Sequence, residues 1–283
     1  MQYGLSLPNF GEHAHPRALA ALAQEAEAAG WDGLFLWDHV IFWPGLAAPV
    51  FDPWVALAAV ATVTSRIRIG AMVTPLARRR PWGVAREIAT LDHLSGGRVI
   101  AGFGLGDPVE ADFGRFGEET NARIRAEKLD EGLEIVTGLW SGEQFSFTGN
   151  HYTVRDVRFL PPPVQSPRPP VWVAAGWPNR APLHRAARWD GVFPIPRDFI
   201  NNPELSVKDI EQLAGVMRQQ RGDGRPFDIA VGGYTGGMTA SAAASHTRGY
   251  AVAGATWWIE SDGPETPLAA LQGRVRAGPP RHE

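Results

Sequence analysis

Residues 72–106 read MVTPLARRRPWGVAREIATLDHLSGGRVIAGFGLG. The segment starts at the end of an apolar strand and crosses a polar loop with three consecutive arginines, Arg78, Arg79 and Arg80. Helical spacing follows over Trp82–His93, and Gly96-Gly97 supplies the stop signal. Arg98–Phe103 is the next strand, and the GFGLG loop closes the segment. This is one βα unit with the start of another. Each of its loops follows the C-terminal end of a strand, where α/β enzymes hold their chemistry.

The alternation extends in both directions. Apolar, β-branched runs bounded by turn residues predict strands at Tyr3–Leu7, Gly33–Trp37, Ile67–Val73, Arg98–Phe103, Val171–Ala175, Gly191–Ile195, Ile229–Gly233 and Thr256–Glu260. Helices are expected between them at Ala18–Ala29, Pro53–Thr64, Trp82–His93, Asn121–Leu139, Pro182–Arg188, Pro203–Arg221 and Ser241–Val252, with a last one near Leu268–Arg276. Three junctions repeat the order helix end, small residue, short strand: AEAAGWDGLFLW, RAARWDGVFPI and AVAGATWWIE. Eight such units favour a closed (β/α)8 barrel over one domain, 1–283; a doubly wound sheet is the alternative. Residues 141–170 break the rhythm with alternating apolar residues around Thr148-Gly149-Asn150 and then a proline-rich run. They read as a hairpin excursion between strands four and five, either a structural insertion or a lid.

The 283-residue chain has a net charge of −3 and no cysteine. Its charge offers nothing to nucleic acid, and disulfides, thiolate metal sites and cysteine nucleophiles are excluded. No run is long enough to span a bilayer, and MQYGLSLPNF lacks the pattern of a signal peptide. A cytoplasmic protein with a small-molecule substrate is expected, with no nucleic-acid or membrane partner.

Several residues at strand ends can carry chemistry. Asp38-His39 ends the second strand, as a tuned acid–base pair or as an ordinary loop pair. Trp43 follows and can wall an aromatic ligand. Gly104 and Gly106 in GFGLG suit the close approach of a flat ring, because no apolar-faced helix is expected behind the loop to complete a dinucleotide site. Asp107 would face the pocket or shape a turn before Pro108. Gly176, Trp177 and Arg180 lie at a helix entry with the makings of a phosphate seat. The arginine run is either a solvated basic face or an anion site. No metal-ligand constellation is present, nor a GxSxG elbow or a P-loop.

On these residues the chain resembles the bacterial luciferase-like monooxygenase family, whose members use FMN or the deazaflavin coenzyme F420. The carriers are AEAAGWDGLFLWDHV, DPWVALAAVATVTSRIRIGAMVTPLARRRPW, AREIATLDHLSGGRVIAGFGLG, KLDEGLEIVTGLWSGEQFSFTGNHY, PPVWVAAG, RAARWDGVFP and GATWWIES. The resemblance implies a TIM barrel with a flavin-type ring in its mouth and a homodimer. It places Asp38 and His39 against the ring and a non-proline cis peptide beneath it, near Ala71-Met72. It puts an acidic residue at Asp107, a Trp at Trp43 and phosphate at Gly176-Trp177, where Trp177 departs from the family's usual paired glycines. The retained Asp-His pair and the compact chain favour F420-dependent hydride transfer, with His39 or Asp107 handling the proton and substrate bound beneath Phe145–Tyr152. The alternatives are an FMN-dependent monooxygenase and a catalytically silent flavin-binding barrel.

Overall fold

Trp31-Asp32-Gly33 and Trp189-Asp190-Gly191 form equivalent corners in the computed structural model, which describes residues 1–42, 48–199, 202–222, 224–263 and 266–281. Asp32 precedes strand β2 (Gly33–Leu36), and its Oδ2 accepts the Tyr3 N–H of β1 (Gln2–Leu7) at 2.8 Å. Asp190 precedes β9 (Gly191–Pro196) and accepts the Val171 N–H of β8 (Val171–Trp177), also at 2.8 Å. At the third junction Thr256 takes the same part, its hydroxyl accepting the Ile229 N–H at 3.0 Å between β10 (Asp228–Gly233) and β11 (Trp257–Ser261). The repeat seen in the sequence is therefore a hydrogen bond. A side chain just before one strand satisfies a backbone donor at the start of its neighbour and fixes their register.

The remaining barrel strands are β3 (Arg68–Ala71), β4 (Thr74–Pro75) and β5 (Ala101–Gly104). The parallel order is β3-β2-β1-β11-β10-β9-β8-β5-β4. β3 and β4 are halves of one barrel strand, separated at Met72–Val73, whose peptide bond is cis. Ile69 pairs with Val99 and joins the two ends of the sheet, with Ile100 N–H donating to the Ile69 carbonyl at 2.9 Å. Among the described residues this gives eight barrel positions in chain order, a closed (β/α)8 barrel.

Helices α1 (Pro16–Ala28), α2 (Pro53–Val63), α3 (Pro81–Ser95), α5 (Ala122–Leu139), α6 (Arg180–Ala186), α7 (Val207–Arg221), α8 (Ala240–Ala253) and α9 (Leu268–Ala277) follow the barrel strands in turn. α4 (Val109–Asp112) is one extra turn behind β5. It corrects the expectation that no helix opens after GFGLG. α7 begins at Val207 rather than Pro203 because Ser206 and Asp209 form a capping box there.

Strand residues alternate between two cores. Leu34, Leu36, Ile69, Val173 and Val231 face outward to the helices. Phe35, Trp172 and Trp257 fill the barrel interior with ring centroids 5.3 to 5.9 Å apart, beside Met72, Ile100 and Ile259. Burying each such side chain contributes about 1.5–3 kcal/mol. The lower barrel is thus packed, and any ligand space lies above it.

The excursion is an antiparallel hairpin, β6 (Gln144–Thr148) with β7 (Thr153–Arg158), in the expected place. Of the two readings, structural insertion or lid, its contacts agree with the insertion. Glu131 of α5 accepts the N–H groups of Asn150 at 2.7 Å and of His151 and Tyr152 at 3.0 Å. Arg86 and His93 of α3 bond to the carbonyls of Leu160 and Pro162. These contacts fasten the excursion to the helical shell. No helix among the described residues is long and apolar enough to cross a membrane.

Closure leaves no room for a Cβ at two positions. One at Gly70 would lie 2.0 Å from the Ile100 carbonyl oxygen, and one at Gly102 would lie 2.3 Å from that of Ala71. Gly70→Ala is therefore expected to lower unfolding free energy by about 1–3 kcal/mol or more, as overpacking does. Gly83→Ala, in α3 where an added Cβ meets nothing within 4 Å, should raise it by about 0.5–1 kcal/mol. Urea denaturation of both variants checks the pair; equal effects would contradict the closure argument.

Candidate active site at the barrel mouth

Above the aromatic interior, the inward-facing residues are small or only half-buried. On β8 the pattern switches from buried Trp172 to half-buried Ala174 and Gly176, while their outward neighbours Val173 and Ala175 stay buried. Val73, Phe193, Gly232 and Ser261 are likewise half-buried at the same end. The barrel opens there into a shallow mouth with small and aromatic walls, as a flat ring requires. Trp37 stands at its edge, its Nε1 donating to the Ser6 hydroxyl at 3.0 Å.

His39 lies beside Trp37, with ring centroids 5.9 Å apart, and also packs against Phe10 and Phe42. Its Nδ1 is 2.6 Å from Oδ2 of Asp112, a fully buried carboxylate. The other oxygen of Asp112 accepts the N–H groups of Val40 and Ile41, both at 2.9 Å. A carboxylate so held keeps the proton on Nδ1 and leaves Nε2 as the basic nitrogen. Among the described residues Nε2 has no hydrogen-bond partner. An Asp–His pair with one free nitrogen is the arrangement of a general acid–base.

Asp38 has a different place from the one expected. It is 3% exposed, and its Oδ1 accepts from Arg78 and Arg79, each at 2.9 Å. Arg78 also donates to the Asp38 backbone carbonyl. Arg79 reaches on to Asp52 at 3.2 Å and Glu87 at 3.6 Å. Burial by itself would lower the Arg79 pKa; Asp38, with Asp52 and Glu87, outweighs it and holds the guanidinium above its usual value. Asp38 is thus a structural ion-pair centre, which corrects its assignment as a catalytic or ring-contacting residue. Arg78 and Arg79 form no solvated face. Arg80 is the exposed member of the run and lies over Trp82.

The other expected residues divide. The cis bond falls at Met72–Val73, one residue beyond the position near Ala71-Met72; Ala71 faces the outer core, Met72 the interior, and Val73 the mouth. Gly104 and Gly106 are required by protein packing: a Cβ at Gly104 would meet Val73 at 2.5 Å, and one at Gly106 would meet Pro75 at 2.7 Å. Asp107 is exposed, and the carboxylate that meets His39 is Asp112 instead. Gly176 faces the mouth. Trp177 turns outward, donating to Asp209 of α7 at 3.0 Å, and lines with Arg180 an outer cleft of ≈ 410 Å³ between α6 and α7. The phosphate seat expected at Gly176, Trp177 and Arg180 therefore draws neither of the latter two side chains into the mouth. Trp43 lies outside the described residues.

Two residues of the site were not anticipated. Asp112 had a local signal, since Pro108 followed by Val-Glu-Ala-Asp is a helix start with acids in its first turn. Asn9, whose side chain contacts the His39 backbone, had none: its partners lie 30 and 42 residues away. No group of His, Asp and Glu suited to a metal is present among the described residues.

Buried charge leads to two expectations. Asp38→Ala strands Arg78 and should cost about 3–5 kcal/mol of stability in denaturant unfolding. At the end of β11, Asp262 is 2% exposed, and burial, opposed by Arg274 and reinforced by Glu260, pushes its pKa from 3.8 up to about 6. The folded state then holds a proton that the unfolded state has released. The stability this provides is complete below pH 3.8 and is lost as pH rises through about 6. In thermal melts from pH 4 to 7, Asp262→Asn should flatten that decline; an unaltered pH profile would remove Asp262 as its source.

A family model described as luciferase-like monooxygenase matches residues 1–235, from the first barrel strand through the seventh. An F420-dependent hydroxymycolic acid dehydrogenase of Mycobacterium tuberculosis is 37% identical over 191 residues, 66% of this chain and 51% of the relative. The chain spans about half the length of the curated relatives it matches. Among solved structures, the coenzyme F420-dependent tetrahydromethanopterin reductase of Methanopyrus kandleri superposes with a TM-score of 0.77 at 17% identity, covering 98% of both chains. A monooxygenase from Streptomyces bottropensis superposes with a TM-score of 0.74 at 23% identity, covering 98% of this chain and 97% of its own. At these identities the superpositions speak to the fold alone. The match across seven of the eight barrel positions is the decisive one: the chain belongs to the luciferase-like monooxygenase family.

Proposed function

We propose that this protein is a coenzyme F420-dependent oxidoreductase that moves a hydride between a small organic substrate and the deazaflavin. The observation that carries the reading is the His39–Asp112 pair at the barrel mouth, with Nε2 of His39 free of partners among the described residues. Relatives named as F420-dependent dehydrogenases support the choice of cofactor. The mouth fits a flat ring: Ala174, Gly176 and Gly232 leave space, Phe193 and Trp37 offer aromatic faces, and Val73 lies below. Of the segment expected to hold phosphate, Gly176 keeps its place in this proposal.

Bound in the mouth, the cofactor supplies the hydride acceptor or donor. The chain supplies the proton chemistry. As a carbinol carbon is oxidised, His39 Nε2 takes the hydroxyl proton, and in the reverse direction it returns one. Asp112 stabilises the imidazolium that forms and keeps the ring in one tautomer. Phe10, Phe42 and Trp37 shield the imidazole from water on its apolar sides. A cytoplasmic homodimer belongs to the same reading, on the strength of the family resemblance.

Titration of the purified protein with F420 and with FMN, followed by cofactor fluorescence, tests the assignment. F420 binding is expected; tight FMN binding without F420 binding would instead favour an FMN-dependent monooxygenase. His39→Ala should lower turnover by about 10²–10⁴-fold while the F420 affinity of the folded variant stays close to wild type. Turnover that survives the change would remove His39 from the chemistry.

A further inference from the structure

A single buried side chain brackets the backbone of His39. Asn9 follows β1 and is 1% exposed. Its Oδ1 accepts the His39 N–H at 3.1 Å, and its Nδ2 donates to the His39 carbonyl at 2.9 Å. The second Nδ2 hydrogen goes to the Phe51 carbonyl at 2.8 Å, and the Asn9 carbonyl accepts the Phe51 N–H at 2.9 Å. The amide thus ties three segments together: the end of β1, the end of β2 and the approach to α2.

We propose that Asn9 is a positioning residue for the proton-transfer step, fixing the peptide of His39 so that Asp112 and the mouth receive its ring in one orientation. The proposal rests on the reading of His39 as the proton carrier. An imidazole swings about two side-chain dihedrals from a Cβ whose place is set by its own peptide. Asp112 holds one ring nitrogen, and Arg78 holds the carbonyl of the preceding residue. The N–H and C=O of His39 itself are held by Asn9 alone among the described residues. Remove that grip and the ring pivots about the Asp112 contact, moving Nε2, the atom that meets substrate. Only a short primary amide can serve here. It must accept from one backbone group while donating to two others, which a carboxylate, a hydroxyl or an alkyl group cannot do.

Two variants separate positioning from simple support of the fold. Asn9→Ala removes the bracket. Asn9→Asp keeps its shape and the acceptor for the His39 N–H but loses both donors. In either folded variant kcat should fall about 10- to 100-fold, while substrate KM and F420 affinity change less than about threefold. In the cofactor-free protein, the 15N and 1H resonances of His39 Nδ1–H, assigned by their loss in His39→Ala, should shift and exchange faster with water. A kcat within about twofold of wild type, or unaltered His39 resonances, would overturn the proposal. Should both variants fail to fold, the side-chain amide protons of Asn9 in the wild-type protein decide: slow exchange is expected, and exchange as fast as that of surface amides would overturn it. Failure of the wild type to bind F420 would count against the functional reading, whereas the resonance and exchange measurements need no cofactor and test the bracket by itself.

Discussion

The carbonyl oxygens of Ile100 and Ala71 stand where a Cβ would stand at Gly70 and Gly102, and this contact between the third and fourth barrel strands closes the fold. Barrel closure brings every strand's C-terminal end onto one rim. The neighbouring contacts share the constraint. Gly104 gives space to Val73, and Val73 belongs to the break between β3 and β4 that faces the mouth. The glycines that look like a ligand loop in the sequence are first of all a packing requirement between two strands.

The rim gathers charges that are neutralised in pairs. Asp38 and His39 are adjacent in sequence yet have opposite fates. Asp38 turns into the protein to meet Arg78 and Arg79, while His39 turns to Asp112 and the mouth. A buried carboxylate is retained only with strong partners, and two guanidiniums on one side and an imidazole with two backbone donors on the other provide them. The outcome is a mouth with small and aromatic walls and one imidazole nitrogen without a partner among the described residues.

Much of the fold was legible because its signals are local. Alternating apolar runs placed the barrel strands, and the WDG junctions announced equivalent corners whose Asp side chains hold neighbouring strands in register. His39 was legible as a residue at a strand end. The orientation of Trp177 was not, since it depends on which face of β8 looks inward, and the large inward side chain proved to be Trp172. The excursion was read correctly as a hairpin, but its fastening by Glu131 to α5 had no local mark.

By itself, the sequence determined the βα rhythm and the presence of a histidine after the second strand, and it favoured a barrel, because periodicity and turn chemistry act over a few residues. Tertiary structure alone decided which groups that histidine meets. Asp112 lies 73 residues away and Asn9 lies 30 away, and Arg78 reaches Asp38 across 40. Desolvation is the physical reason: a charge or amide finds its partner only once closure has removed the water that would otherwise have served it.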